Sequence, residues 1–454
     1  MKKGWRWPLA GFVVGGLVGV TLLTVNVVGA FVGDTSTVRP LSVERGIGEI
    51  LHTPPLLVPR GEPVELGYEL VCGLREDRPG RKCEPKGSVF LRAAGEARFT
   101  KLPLGAKLTV AVPARYLSGS GFDYYAQLED GRGGSASLPA GGDDAPQHVW
   151  TVPDETRVDL GKTGFGDARA PGAIVAKAGW GGGDRELGLI SGHEQARIGP
   201  SAFDVAPGGA IVVLDQVNQR LTVFPERGAP RHLPISFSGG EGDLAIGGNG
   251  TIYVLDDGGS QSPMPLVRSF DSAGRPIASG PLAEPTADML RIGPGGPIAH
   301  AYPSEMWLPV GRGRPPLSPA QQVERSAPGR LVRGGEAVVV SAAASRARFA
   351  LVSGERVVQS WLVESSTKLG EVQLAESYGD GLLVVLRVWS EKQAEFRVLR
   401  LNSTGLVASF AVTGAEWAET ASLSRFRRRG KTLYQLRSGP SGVEIAAYEI
   451  GGTK

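Results

Sequence analysis

Histidine, cysteine and methionine are scarce in this chain, with five, two and four among 454 residues. Structural zinc takes four nitrogen or sulfur ligands. His52, His148, His193, His232 and His300 nowhere stand at ligand spacing, and no histidine lies between His52 and His148 to complete a site with Cys72 and Cys83. The G-x-S-x-G elbow of the α/β-hydrolases is also missing, so Ser191-Gly192-His193-Glu194 has no nucleophile turn to serve. No catalytic residue, cofactor-binding residue or metal ligand is assigned, and no cofactor is expected beyond the option of a divalent cation.

A charge excess of one sign is missing too. The formal net charge is +3, and Lys2, Lys3 and Arg6 account for all of it, leaving 46 basic against 46 acidic residues in the remainder. Neutralising phosphates needs a concentrated basic surface, so this balance argues against a nucleic-acid partner. Glycine (66) and proline (33), by contrast, abound. Both break helices and mark tight turns, which predicts an all-β chain of many short strands.

From Pro8 to Val32 no charged side chain occurs. At 1.5 Å rise per residue such a run crosses a hydrocarbon core of ~30 Å, with the basic flank on the cytoplasmic side. Residues 1–33 are therefore read as either a signal peptide or a signal anchor. Val28-Gly29-Ala30 offers small residues for cleavage, whereas the apolar run exceeds the ~7–15 residues of a cleaved signal. Residues 8–32 would contact the membrane if the signal stays. The expected location is the cell envelope outside the cytoplasm, as a single-pass anchored or a secreted protein. There the two cysteines, Cys72 and Cys83, would pair and staple a hairpin.

Residues 34–58 lack periodicity and carry Pro40, Pro54 and Pro55, with Pro59 at their end, which predicts a stalk. Residues 59–152 read as a β domain. Val64, Leu66, Tyr68, Leu70 and Cys72 alternate along one strand face, and SVFLRA, KLTVAVP and GFDYYAQLEDG follow as further strands. The stretch DYYAQLEDGRGGSASLP resembles the last hairpin of immunoglobulin-like and fibronectin type III-like sandwiches. Residues 153–194 are expected to be a linker, and 195–454 repeat themselves.

Six copies of strand, glycine turn and strand recur at blade-like spacing. They begin at Phe203, Asp243, Met289, Leu331, Leu374 and Leu423. A blade cannot bury both faces alone, so repetition predicts a β-propeller of about six blades. The segment Ile198 to Phe224 resembles an NHL repeat through Leu214-Asp215, Asn218, Arg220 and Phe224. The second copy keeps Gly250, Tyr253 and Leu255-Asp256. The resemblance implies that Asp215 and Asn218 organise the turn between blade strands while Arg220 pairs nearby, with Asp256 in the equivalent place. Asp256 and Asp257 form an adjacent acidic pair, but neighbouring strand residues point to opposite faces, which weakens a shared cation site.

The run RFRRRGK supplies Arg425, Arg427, Arg428, Arg429 and Lys431 around Phe426. It is either a patch for an anionic partner or a solvated strand and turn whose arginines face out while Phe426, Leu433 and Leu436 pack. The expected function is a binding or scaffold protein whose propeller presents a face to an envelope protein or glycan. The alternative is a propeller enzyme of the lactonase, lyase or glycan-processing type. Several acids with Asn or His converging on the channel within metal distance would favour the enzyme, and an apolar or salt-bridged channel would sink it.

Overall fold

The computed structural model describes residues 37–40, 47 and 49–451, apart from 73–82, 140, 145, 193–194, 239–241, 257–264, 283–286, 294–295, 302–305, 311–335, 415 and 419–424. The apolar run 8–32 lies outside the described residues. Among the described residues no helix is long and apolar enough to cross a membrane.

Almost every described element is a strand. In the N-terminal part, a six-stranded sheet runs in the order Leu57–Pro59, Gln147–Val152, Gly121–Glu129, Lys86–Ala93, Thr100–Pro103, with Ser135–Leu138 also on Gly121–Glu129. Two smaller sheets accompany it, one of Thr37–Pro40, Glu49–His52 and Glu69–Val71, the other of Glu65–Gly67 and Thr109–Ala111. Ile50, Leu66, Val89, Leu91, Phe122, Tyr124 and Val149 bring the three sheets onto one apolar core. Cys72 and Cys83 are joined in a disulfide.

This arrangement corrects the expected stalk at 34–58. Ile47, Ile50, His52, Leu56, Leu57 and Val58 are buried, and Glu49–His52 and Leu57–Pro59 are strands of the domain. Prolines 54 and 55 separate two strands too short to show a period, which is why the stretch reads as irregular.

Six further sheets make the β-propeller. Blade 1 runs Ala202–Val205, Ile211–Asp215, Arg220–Phe224, Arg231–Pro234, all antiparallel. Blade 2 repeats this with Gly242–Ile246, Ile252–Asp256, Leu266–Phe270, Pro276–Pro281. Blade 3 has three described strands, beginning with Ala287–Gly293. Blade 4 begins with Glu336–Ala343, blade 5 with Lys368–Tyr378 and blade 6 with Phe426–Arg429. The first strands of blades 1 and 2, 2 and 3, 4 and 5, 5 and 6, and 6 and 1 adjoin, so these strands surround a central channel. The turn between the first and second strands is tight. In blade 1 it needs Gly209 at φ +84° and in blade 2 Gly250 at φ +83°, left-handed angles that side chains resist.

Blades 4 and 6 supply only three strands from their own stretch. Their fourth comes from residues 153–194, the segment expected to be a linker. Thr156–Asp159 pairs parallel with Arg356–Glu364 of blade 4, Ala168 bridges Ala411 of blade 5, and Ala173–Trp180 pairs antiparallel with Gly442–Glu449 of blade 6. The segment is a strap that covers strand edges otherwise open to solvent, and it locks the end of the propeller to its beginning. Its strands pair with residues roughly two hundred or more positions away, so nothing local marks them.

The two parts are also welded. Leu56, Leu57, Trp150 and Val152 form one buried cluster with Val339, Ala350 and Val352 of blade 4. The Trp150 indole donates to the Gly354 carbonyl at 3.1 Å, and Arg348 pairs with Glu155 at 2.9 Å.

Candidate functional site: the propeller channel

First strands bring charge into the channel. Blade 1 contributes Asp204, blade 2 Asp243, blade 3 Arg291, blade 5 Glu376, and blade 6 Arg427, Arg428 and Arg429. The two aspartates do the same work in successive blades. Asp204 Oδ1 accepts from the Val205 N–H at 2.7 Å and Oδ2 from Ile246 N–H in blade 2 at 2.8 Å. Asp243 Oδ1 accepts from Leu244 N–H and Oδ2 from Leu290 N–H in blade 3, both at 2.8 Å. Each carboxylate thereby bonds its own strand to the next blade.

Arginines complete the shell. Arg291 Nη1 donates to Asp243 Oδ2 and Arg427 Nη2 to Asp243 Oδ1, both at 2.9 Å, while Arg427 Nε lies 3.9 Å from Asp204 Oδ1. Arg427 also donates to the Leu244 and Phe426 carbonyls. Asp243 is fully buried and Arg427 is 4% exposed. Charges this deep are tolerated only when paired and hydrogen-bonded. Strand alternation splits the basic run: Arg427 and Arg429 reach toward blade 1, whereas Arg428 reaches blade 5 and meets Glu376 at 2.7 Å. A cavity of about 450 Å³ opens above this network, lined by Asp204, Arg291, Glu376, Arg427, Arg428 and Arg429 among others.

The solvated-face reading of RFRRRGK is thus corrected. Arg425 is buried, pairs with Glu416 and lies over the Phe396 ring, and burial pulls its pKa down to about 10. Arg427 is the channel's central cation, Arg428 and Arg429 are half-buried, and only Lys431 is exposed. The cations do not form one surface patch, because each inward-facing guanidinium finds a partner on another blade that the local sequence does not reveal.

Asp215, Asn218 and Arg220 come together on the rim, away from the channel cavity. Asp215 is fully buried. Its Oδ2 accepts from Asn218 Nδ2 and Arg220 Nε, and its Oδ1 from Gly188 N–H, all at 2.8 Å. Asn218 then donates to the Gly181 carbonyl, and Arg220 to those of Gly182, Gly183 and Glu186. The turn grips the end of the strap. Asp256 occupies the matching place in blade 2, accepting from Ser238 N–H at 2.9 Å and pairing with Arg268 at 3.1 Å. Its neighbour Asp257 lies outside the described residues, as do His193 and Glu194.

The four described histidines are tied up elsewhere. His52 sits between Gly67 O and the Tyr124 hydroxyl, and burial lowers its pKa to about 4. His148 pairs with Asp123 and His300 with Asp288, both at 2.6 Å, and His232 lies 3.1 Å from the Thr222 hydroxyl. Among the described residues no group of three His, Cys, Asp or Glu is placed to hold a metal ion.

No protein-family model and no curated protein matches the chain. Among solved structures it is similar to virginiamycin B lyase from Staphylococcus aureus, at 10% identity over 59% of this chain and 89% of that one, with a TM-score of 0.31. The Dos1 propeller aligns at 11% identity over 59% and 82%, with a TM-score of 0.29. A protein of unknown function from Bacteroides thetaiotaomicron aligns at 8% identity over 88% and 98%, with a TM-score of 0.32. Similarity at this level carries no weight for activity, and the propeller fold rests on the six sheets and their ring of first strands.

Proposed function

We propose that the chain is an extracytoplasmic binding module, anchored or released at its N-terminal apolar run, with an NHL-type propeller carried beside an immunoglobulin-like sandwich. The observation that carries this reading is the state of the channel acids. Asp204, Asp243 and Glu376, which a propeller enzyme would need free for metal ligation or proton transfer, accept from arginines and backbone N–H groups instead. The disulfide supports an oxidising compartment. The partner is an envelope protein or a glycan, met at the end of the channel where the turns between first and second strands lie.

The test places a photoreactive residue at Lys431, which is exposed beside that mouth. Illumination of intact cells is expected to give one dominant crosslinked envelope component. Crosslinks confined to cytoplasmic proteins would overturn the reading.

A further inference from the structure

Among the described residues the channel mouth holds one more positive charge than its acids balance. Four guanidinium groups, Arg291, Arg427, Arg428 and Arg429, line the cavity with Asp204 and Glu376. Asp243 adds a third carboxylate by pairing with Arg291 and Arg427, and Glu376 takes Arg428. Arg429 is the remainder. Its Nη1 donates to the Val205 carbonyl at 2.8 Å, which fixes the side chain against blade 1, and no carboxylate among the described residues lies within ion-pair distance. A guanidinium carries five donors in a rigid fork, and Arg429, which lines the cavity, places one of them on a protein acceptor.

A second cavity of about 270 Å³ lies between blades 1 and 2 and shares Ile246 and Gly248 with the first. Its walls include Ala206, Ala210, Val212 and Ile252. A cationic fork therefore stands next to an apolar recess large enough for a branched aliphatic side chain.

We propose that the channel mouth binds a monocarboxylate with an apolar substituent, the carboxylate on Arg429 and the substituent in the recess between blades 1 and 2. This rests on the binding-module reading and names its ligand chemistry. A surplus of one charge matches a monoanion, whereas dianionic phosphate would leave a charge uncompensated in a half-buried site. The carboxylate belongs either to a free acid or to the C-terminus of a partner chain that ends in an apolar residue.

Titration calorimetry of the full chain with N-acetyl-L-leucine, N-acetyl-L-leucinamide and inorganic phosphate tests it. The acid is expected to bind saturably, with the amide and phosphate weaker by about tenfold or more, the value of one charge-assisted hydrogen bond. Arg429→Gln should weaken the acid to the same degree with only a small drop in Tm, because it loses the hydrogen bond to Val205 but no ion pair, and Arg429→Lys should keep part of the affinity. No saturable binding of the acid, equal binding of the amide or phosphate, or full affinity in folded Arg429→Gln would overturn the site. If Arg429→Gln fails to fold, the acid-against-amide ratio on the unaltered chain decides alone. The Lys431 crosslink separates the two sources and the two proposals. Loss of the crosslink in Arg429→Gln identifies a partner's C-terminus, and its retention identifies a free acid. An envelope crosslink on a chain that binds no acid overturns this site and leaves the binding role standing.

Discussion

Two buried aspartate–arginine networks stabilise this propeller, one on the rim and one in the channel, and they differ in reach. On the rim, Asp215, Asn218 and Arg220 lie within six consecutive residues and close a single turn on the strap. In the channel, Asp204, Asp243, Arg291 and Arg427 come from four blades, with the Asp243–Arg427 pair 184 positions apart. A local network secures one turn, whereas a distributed one holds blades to each other. In the channel each of Asp204, Asp243 and Glu376 is engaged by an arginine or a backbone N–H of another blade.

The largest expected effect breaks the distributed network. Asp243→Ala leaves Arg291 and Arg427 buried without their shared carboxylate, and removing one partner of a buried pair costs about 3–5 kcal/mol. Urea unfolding should show that loss. A loss below about 1 kcal/mol would mean the channel charges are solvated.

The N-terminal domain offers the same contrast in a titratable form. His52 is buried against Tyr68 and bonded to Tyr124, 72 residues away. Its folded pKa of about 4 lies below the ordinary 6.5, so the unfolded chain takes up the proton first as pH falls. Its contribution is whole above pH ~6.5 and is lost progressively down to pH ~4, about 3 kcal/mol in all. Unfolding free energies measured between pH 7 and 4 for the unaltered chain and for His52→Gln should converge by that amount, and parallel curves would contradict it.

The rim network should be weaker to break. Asp215→Ala is expected to cost about 2 kcal/mol, since Arg220 keeps three carbonyl partners. Asn218→Ala removes one donor shared between Asp215 and the strap and should cost about 1 kcal/mol. If Asp215→Ala proved costlier than Asp243→Ala, the ranking of local and distributed networks would be reversed.

What was legible in the sequence follows the same division. The six blade copies could be found because each is a local pattern of strand, glycine turn and strand. Asp215, Asn218 and Arg220 could be placed together because they lie within six consecutive residues of one tight turn. The strap could not be seen, because Thr156–Asp159 and Ala173–Trp180 become blade strands only on meeting partners far along the chain. The burial of RFRRRGK is hidden from the sequence for the same reason. Its arginines alternate in direction, and the acids that pair with Arg427 and Arg428, Asp243 of blade 2 and Glu376 of blade 5, carry no mark of that role in their own segments. One signal was available: Asp204 and Asp243 occupy the same place in the first two copies, on strands otherwise apolar, where an unpaired acid would be too costly to bury.

The most direct test of the claim that the channel carboxylates are committed to structure is a thermal-shift titration of the full chain with calcium, magnesium and zinc, with metal analysis of the purified protein. No stoichiometric metal and no change in Tm are expected for the unaltered chain. A stoichiometric ion, or a Tm increase that disappears in Asp204→Asn or Glu376→Gln, would contradict it and return the channel to the enzyme reading.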